Sequence, residues 1–208
     1  MKYRVSVVSV NERNVVDRIL AQEREKYHKM WELPAYRQWS PGLSAIANFL
    51  DNAPWQPGDS LIDLGCGTGR AGAALAARGL NVTLLDFCYS AVEVSGLRVI
   101  EANLWDLPPW LPRYDWIYCV DVLEHIPTEY IGSTLDGMAS ITRKGGYLQI
   151  ALFEDHCGRE IGETLHLTIK PHEWWAAQVG ARWPVLQGAE GVDARGNDGY
   201  SKFLVGEP

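Results

Sequence analysis

Leu-Ile-Asp-Leu-Gly-Cys-Gly-Thr-Gly-Arg, residues 61–70, is the stretch that decides the fold. It begins with apolar residues typical of a buried strand, and a helix-forming run follows it from residue 71 to residue 77. Gly65, Gly67 and Gly69 remove side chains where the chain turns sharply from strand to helix. A flat ligand group can then approach the backbone, so the stretch predicts a ligand-binding loop between a strand and a helix.

The sequence after residue 55 alternates short apolar strands with helices, which predicts a parallel sheet covered on both faces. The last two strand-like segments flank a Gly-, Asp- and Asn-rich stretch, residues 188–199, which indicates a closing antiparallel hairpin. We therefore predict an α/β protein with a Rossmann-like, doubly wound, mostly parallel seven-stranded sheet. The predicted strands are Ser60–Leu64, Val82–Leu85, Leu97–Glu101, Trp116–Val120, Tyr147–Leu152, Arg182–Gln187 and Tyr200–Val205.

The segment that precedes the sheet has a helical pattern. Apolar residues recur at helical intervals over residues 12–32, which predicts an amphipathic helix that ends near Pro34. A second helix is predicted to begin at Pro41, with Ser40 as its N-cap residue. We expect a single domain over residues 1–208, in which residues 1–54 form a helical cover and residues 55–208 form the core.

Two classes of nucleoside cofactor compete for the glycine loop. Residues 67–72 also satisfy the G-x-G-x-x-G pattern, and Asp86 follows where the ribose-binding acid of a dinucleotide site belongs. Asp63 discriminates between the two classes, because a carboxylate near the turn repels an anionic pyrophosphate and attracts a cationic group. The sequence therefore favours a cofactor with a cationic amino-acid part, and a nicotinamide-dependent oxidoreductase is the alternative.

Polar residues stand at the carboxyl ends of the other predicted strands, where ligands bind in open α/β sheets. Asp86 ends the second strand and can accept hydrogen bonds from both hydroxyls of a ribose. Asn103 and the backbone N–H of Leu104 follow the third strand and can contact the edge of an adenine. Three more polar residues follow the fourth strand: Asp121, Glu124 and His125.

The D-x-G-x-G-x-G loop at residues 63–69, the acid at Asp86 and the D-V-L-E-H-I segment at residues 121–126 resemble a class I S-adenosylmethionine (SAM) dependent methyltransferase. The resemblance covers residues 55–152 and implies SAM as cofactor and S-adenosylhomocysteine as product. It implies that the glycine loop contacts the methionine part of SAM and that Asp86 binds the ribose. It also implies that Asn103 and Leu104 contact the adenine. The predicted cofactor-binding residues are Asp63, Gly65, Cys66, Gly67, Gly69, Asp86, Phe87, Asn103, Leu104 and Asp121.

The flanks of the core resemble a narrower group. Residues 25–42 and 161–175 look like those of short methyltransferases found in tailed-phage and bacterial genomes. This resemblance implies that the protein works in a bacterial cytoplasm, which is the host cytoplasm if a phage encodes it.

Methyl transfer is an in-line displacement at an activated carbon, so the enzyme aligns the acceptor and removes a proton where the acceptor requires it. His125 is the predicted catalytic base or substrate contact, and a purely local hydrogen bond is the alternative. The predicted substrate-binding residues are Tyr36, Arg37 and His166. The aromatic segment from Tyr27 to Arg37 predicts a lid over the sulfonium, although helical spacing equally fits core packing, which we expect for Trp31.

Composition and charge favour a small acceptor over nucleic acid. The net charge is −7, and residues 51–208 carry −10 against +3 in residues 1–50. Because an acidic body repels phosphate backbones, the predicted acceptor is an oxygen or nitrogen of a small polar molecule. A DNA or RNA methyltransferase and a non-catalytic SAM-binding protein are the alternatives.

The four cysteines stand singly, so neither a disulfide framework nor a metal site is predicted. No apolar run reaches the roughly 20 residues of a membrane span, so we expect a soluble, cytoplasmic protein.

Overall fold

The computed structural model describes residues 10–192 and 198–208, and a seven-stranded sheet lies at its centre. The strands are β1 (Ser60–Leu64), β2 (Asn81–Asp86), β3 (Arg98–Glu101), β4 (Tyr114–Val120), β5 (Thr142–Ala151), β6 (Val185–Val192) and β7 (Asp198–Val205). Their order is β3-β2-β1-β4-β5-β7-β6, and neighbours are parallel except at the β5-β7 and β7-β6 pairs. The predicted mostly parallel sheet with an antiparallel hairpin at its end is confirmed.

Helices cover both faces of the sheet. They are α1 (Val10–Glu32), α2 (Pro34–Arg37), α3 (Pro41–Asn52), α4 (Arg70–Ala76), α5 (Ile131–Ser140) and α6 (His172–Gly180). On one face, Phe49 of α3 and Leu75 of α4 are buried in a cluster with Trp116 of β4. On the other face, Leu135 of α5 and Trp175 of α6 belong to a second buried cluster. Burial of these large side chains from both sides gives the sheet its doubly wound architecture.

Several strand boundaries differ from the prediction, and the largest differences are in β5 and β6, which ends at Val192 rather than at Gln187. Strand β5 begins at Thr142 rather than at Tyr147, because Gly146 lies within the ladder, where a Cβ would clash with Ile117 of β4. Strand β6 begins at Val185 rather than at Arg182, which instead forms an ion pair with Asp136. Residues 1–9 of the predicted cover and residues 193–197 of the predicted hairpin connection lie outside the described residues.

The N-terminal helices lie over the carboxyl ends of the parallel strands. Tyr27 and Met30 of α1 are buried in a third cluster, which includes residues from the loops after β2 and β5. Helix α3 begins at Pro41 as predicted, but the Ser40 side chain makes no capping hydrogen bond, so the predicted N-cap interaction is absent. The described helices include none that is both long and apolar enough to span a bilayer.

Candidate active site

Two adjoining cavities open at the carboxyl ends of the parallel strands. Counting the open solvent at their mouths, the first cavity has about 660 Å³ of empty space and the second about 1230 Å³. The first is lined by Asp86, Phe87, Asn103 and Leu104, and the second by Asp63, Cys66 and Gly67. Five residues line both cavities: Trp31, Tyr36, Gly65, Asp121 and His125. The structure thus brings nearly all the predicted cofactor residues to one continuous space.

The glycine loop after β1 has a backbone that only glycine adopts without strain. Gly65 and Gly67 have φ values of 71° and 52°. A Cβ at Gly65 would lie 2.5 Å from Val122, and a Cβ at Gly67 would lie 2.9 Å from the Trp31 ring. Gly69 lines neither cavity and instead precedes α4 in a left-handed conformation, so it shapes the turn rather than the cavity wall.

Asp63 presents a buried carboxylate to the second cavity. Its side chain is almost fully buried and lies beside the backbone N–H of Gly72, which lowers its pKa, but its Oδ2 atom has no hydrogen bond of normal geometry among the described residues. Burial, together with the negative charge of Asp86, raises the pKa of Asp63 to about 7. A buried carboxylate oxygen without a partner is costly, so this position suits a ligand that brings a positive charge or a hydrogen-bond donor.

Asp86 ends β2 and lies in the first cavity. Its Oδ2 accepts a hydrogen bond from the Gly67 N–H and its Oδ1 accepts one from the Cys88 N–H, both at 2.8 Å. Each carboxylate oxygen has two lone pairs, so both retain the capacity to accept a second bond from a ribose hydroxyl. The two backbone bonds therefore fix the orientation of the carboxylate without using all of its acceptors.

Asn103 and Leu104 lie beside Asp86 at the end of β3. The Asn103 Oδ1 atom accepts a bond from the Trp105 N–H at 3.4 Å, whereas its buried Nδ2 atom has no partner among the described residues. Leu104 is buried and supplies an apolar wall to the first cavity. An unpaired amide donor beside an apolar wall suits a heteroaromatic ring with acceptor nitrogens, such as adenine.

Asp121 follows β4 in a strained conformation. Among the described non-glycine residues it is the one with a positive φ, at 54°. Its Oδ1 accepts a bond from Gln149 Nε2 at 3.1 Å, and burial raises its pKa to about 6. Strain of this kind is common at functional sites, and here it directs an acid to the wall that the two cavities share.

His125 lies at the junction of the two cavities in a short 3₁₀ turn. Its Nδ1 atom lies 2.5 Å from the Tyr27 hydroxyl and 3.1 Å from the Leu165 carbonyl oxygen, and its ring is 4.6 Å from that of His166. Burial, with the neighbouring His166, lowers the pKa of His125 to about 3. A neutral imidazole with so low a pKa is a weak base. The contacts with Tyr27 and Leu165 match the local hydrogen bonding predicted as the alternative, and the predicted roles of His125 as base or substrate contact stay predictions.

The predicted lid residues divide between the cavities and the protein surface. Tyr36 lines both cavities and packs edge-on against Trp31 with ring centroids 4.8 Å apart. Trp31, for which core packing was predicted, also lines both cavities. Arg37 lines neither, because its guanidinium pairs with Glu93 at 3.2 Å and donates to the Ser90 carbonyl at 3.1 Å. The structure therefore does not support the predicted substrate contact of Arg37.

Several cavity residues were missed by sequence reasoning. The second cavity includes Phe153, Asp155 and Tyr200, which come from the segment after β5 and from β7. Tyr27 was not missed, because it belongs to the predicted lid, and it lines the first cavity. The segment at residues 153–157 has no motif that separates it from an ordinary loop.

Comparison with known proteins assigns the fold and the cavities to a family. The model of the methyltransferase domain family matches residues 30–189, which is most of the chain. This chain belongs to the methyltransferase domain family. The match favours methyl transfer over the nicotinamide-dependent oxidoreductase that the glycine loop alone left open.

The methyltransferase is similar to curated bacterial relatives. A ubiquinone biosynthesis O-methyltransferase of Dechloromonas aromatica is 25% identical over 205 residues, which cover 89% of this chain and 79% of the relative. A protein of the same name from Nitrosomonas europaea is 33% identical over 155 residues, which cover 70% of this chain and 57% of the relative.

A solved structure shares the fold of the methyltransferase. Magnesium protoporphyrin IX methyltransferase from Synechocystis PCC 6803, with bound S-adenosylhomocysteine, superposes with a TM-score of 0.63 at 16% identity. The similarity covers 94% of this chain and all of the other chain. The Rossmann-like architecture predicted from the sequence is therefore shared with a methyltransferase of known structure.

Proposed function

We propose that the methyltransferase binds SAM across the two cavities and transfers its methyl group to an oxygen or nitrogen of a small polar molecule. The observation on which this rests is the buried, unpartnered Oδ2 atom of Asp63 next to the glycine loop. The methionine part of SAM has an ammonium and a sulfonium group, and either is attracted by this carboxylate. An anionic pyrophosphate at the same place would be repelled.

The chain provides distinct positions for the other parts of SAM. The first cavity would hold the adenosine, with Asp86 accepting from the ribose hydroxyls and Asn103 donating to the adenine. The glycine loop would lie along the methionine part. SAM supplies a methyl group that the sulfonium has already activated, so the protein's task is to align an acceptor with it.

The N-terminal helical cover would close the site over the cofactor. Tyr27, Trp31 and Tyr36 are aromatic and line one or both cavities, and Lys26 ties α1 to the core through a 3.0 Å bond to the Thr164 carbonyl. Aromatic faces attract a sulfonium cation and exclude water from the methyl group. We propose that residues 1–54 act as this cover within a single domain of 208 residues.

The second cavity would hold the acceptor. Its wall combines aromatic side chains, Phe153 and Tyr200, with the polar groups of Asp155 and His166, which suits a small molecule with an apolar part and a polar edge. The net charge of −7 disfavours a nucleic acid. The names of the curated relatives, ubiquinone biosynthesis O-methyltransferases, support an oxygen acceptor. Their bacterial sources support a bacterial cytoplasm, and the flanking segments support the proposed kinship with short phage and bacterial methyltransferases.

Isothermal titration calorimetry with SAM, S-adenosylhomocysteine and NAD tests the cofactor assignment. We expect both adenosyl ligands to bind and NAD to show no saturable heat. Fluorescence anisotropy with labelled tRNA and duplex DNA at low salt tests the acceptor class. Saturable binding of either nucleic acid at micromolar protein would favour the nucleic-acid alternative.

A further inference from the structure

A buried cluster of one acid and two histidines lies beside the proposed acceptor cavity. Glu124 and His125 come from the turn after β4, and His166 comes from the segment after β5. One carboxylate oxygen and one nitrogen of each ring lie within 4.8 Å of one another. His166 follows 41 residues after His125 in the sequence, so the sequence does not reveal this group, and no metal site was predicted.

The hydrogen bonds of the two histidines leave one nitrogen of each ring free. The Nδ1 atom of His166 lies 2.6 Å from the Phe153 carbonyl oxygen, and that of His125 lies 3.1 Å from the Leu165 carbonyl oxygen. A carbonyl oxygen only accepts, so the Nδ1 atom of His166 has the proton and its Nε2 has a lone pair. For His125, the Tyr27 hydroxyl also lies 2.5 Å from Nδ1. In the tautomer that donates Nδ1–H to the Leu165 carbonyl, the Tyr27 oxygen acts as an acceptor and the Nε2 of His125 has a lone pair. Backbone carbonyls orient metal-binding histidines in the same way.

Glu124 provides a buried carboxylate with an unsatisfied oxygen. The side chain is fully buried, Oε1 accepts from the Ala151 N–H at 3.1 Å, and Oε2 has no hydrogen-bond partner among the described residues. The Glu124 carboxylate takes part in none of the ion pairs among the described residues. Leaving a carboxylate oxygen unsatisfied in the interior costs stability, and a cation at this point would remove that cost.

The segment that contains His166 is fixed against Glu124. The Glu124 carbonyl oxygen accepts from the N–H groups of Leu167 at 2.7 Å and Thr168 at 2.9 Å. Thr168 also donates its hydroxyl to the Ile126 carbonyl at 2.7 Å. These three bonds hold the segment directly after His166 against the turn that contains Glu124 and His125.

The charges around the cluster favour a cation. Asp121 and Asp155 act electrostatically on Glu124 and His125 respectively, and both line the second cavity. The nearby Lys26 also acts on His125, but its ammonium is already paired with Glu23 at 2.5 Å. The balance around the cluster is therefore negative, apart from a lysine whose charge is neutralised by its neighbour.

We propose that Glu124, His125 and His166 form a binding site for a divalent transition-metal ion such as Zn²⁺. Two imidazoles and one carboxylate are a ligand set that Zn²⁺ takes with a position left for another ligand. His125 and His166 line the second cavity, so that position faces the proposed acceptor and would hold an acceptor oxygen. The role toward the acceptor rests on the proposed function, whereas metal binding does not.

Zinc binding by the full-length protein tests the proposal. The protein is stripped with EDTA, titrated calorimetrically with Zn²⁺ in the absence of SAM, and analysed for retained metal by mass spectrometry after dialysis. We expect one zinc per chain in the wild type. Glu124→Gln and His166→Gln should each bind zinc at least roughly tenfold more weakly. His28→Gln is the matched control, because His28 is an exposed histidine on α1, and it should bind zinc as the wild type does.

Melting temperatures and circular dichroism separate a loss of zinc binding from a loss of folding. Zinc should raise the melting temperature of the wild type but not that of either ligand variant, and circular dichroism shows whether each variant is folded. If Glu124→Gln does not fold, the zinc affinity of His166→Gln decides whether the metal site exists, since this variant keeps the buried carboxylate. No zinc retained by the wild type, or equal affinity in wild type and folded variants, overturns the metal site. A parallel SAM titration distinguishes this failure from failure of the proposed function.

Discussion

Replacement of Asp86 by asparagine tests the position of the ribose. The Asp86 carboxylate accepts two backbone N–H groups at 2.8 Å, and asparagine can accept only one of them, because its amide nitrogen is a donor. The ribose would also lose a charged acceptor. A hydrogen bond to a charged group contributes about 1.5–3 kcal/mol, so we expect SAM affinity to fall roughly 10- to 150-fold.

The assay is calorimetric titration of folded Asp86→Asn with S-adenosylhomocysteine, and Glu101→Gln is the matched control. Glu101 is paired in register with Asp86 on the neighbouring strand, but it is exposed, lines neither cavity and forms a surface ion pair with Arg24. Loss of an exposed ion pair has little effect, so this variant should bind as the wild type does. Unchanged affinity in Asp86→Asn, or an equal loss in both variants, would refute the assignment of Asp86 to the ribose.

Three other predictions concern residues of the site. Because the pKa of Asp63 is about 7, SAM should bind roughly tenfold more weakly at pH 6, where the carboxyl is mostly protonated, than at pH 8. Titrations at both pH values check this, and a pH dependence that persists in Asp63→Asn would contradict it. Gly65→Ala should lose about 1–3 kcal/mol more of the unfolding free energy in urea than Gly162→Ala. Both glycines have φ near 72°, yet only a Cβ at Gly65 would meet another residue, so equal losses would exclude the clash with Val122. Tyr27→Phe should lose about 1 kcal/mol of unfolding free energy with its bond to His125. Tyr36→Phe is its control, and an equal loss there would assign the effect to the hydroxyl group in general.

The fold was predictable because its signals are local. Strand β1 has the predicted bounds, since apolar residues and the following glycines mark both of its ends. Strand β5 was predicted too short, because Gly145 and Gly146 resemble a turn in the sequence, whereas the ladder uses them for close approach to β4. Whether a glycine marks a turn or a close contact depends on the neighbouring strand, which the sequence does not show.

That the predicted cofactor residues line the cavities was predictable for the same reason. Asp63, Gly65 and Gly67 lie in one continuous motif, and Asp86 ends a strand whose position follows from the alternation of elements. The acceptor side depends on contacts between distant segments, such as Tyr27 with His125. Arg37 shows the limit of inference from residue type, because it was predicted to bind the substrate, whereas in the structure its guanidinium pairs with Glu93.

Transfer of a labelled methyl group tests the central claim most directly. The protein is incubated with methyl-labelled SAM and, separately, with fractionated bacterial small molecules, tRNA and DNA, and the label is followed into each fraction. Our account predicts label in a small-molecule fraction and loss of that label in Asp86→Asn. Label in tRNA or DNA would contradict the proposed acceptor, and no transfer to any fraction despite SAM binding would contradict the proposed catalysis.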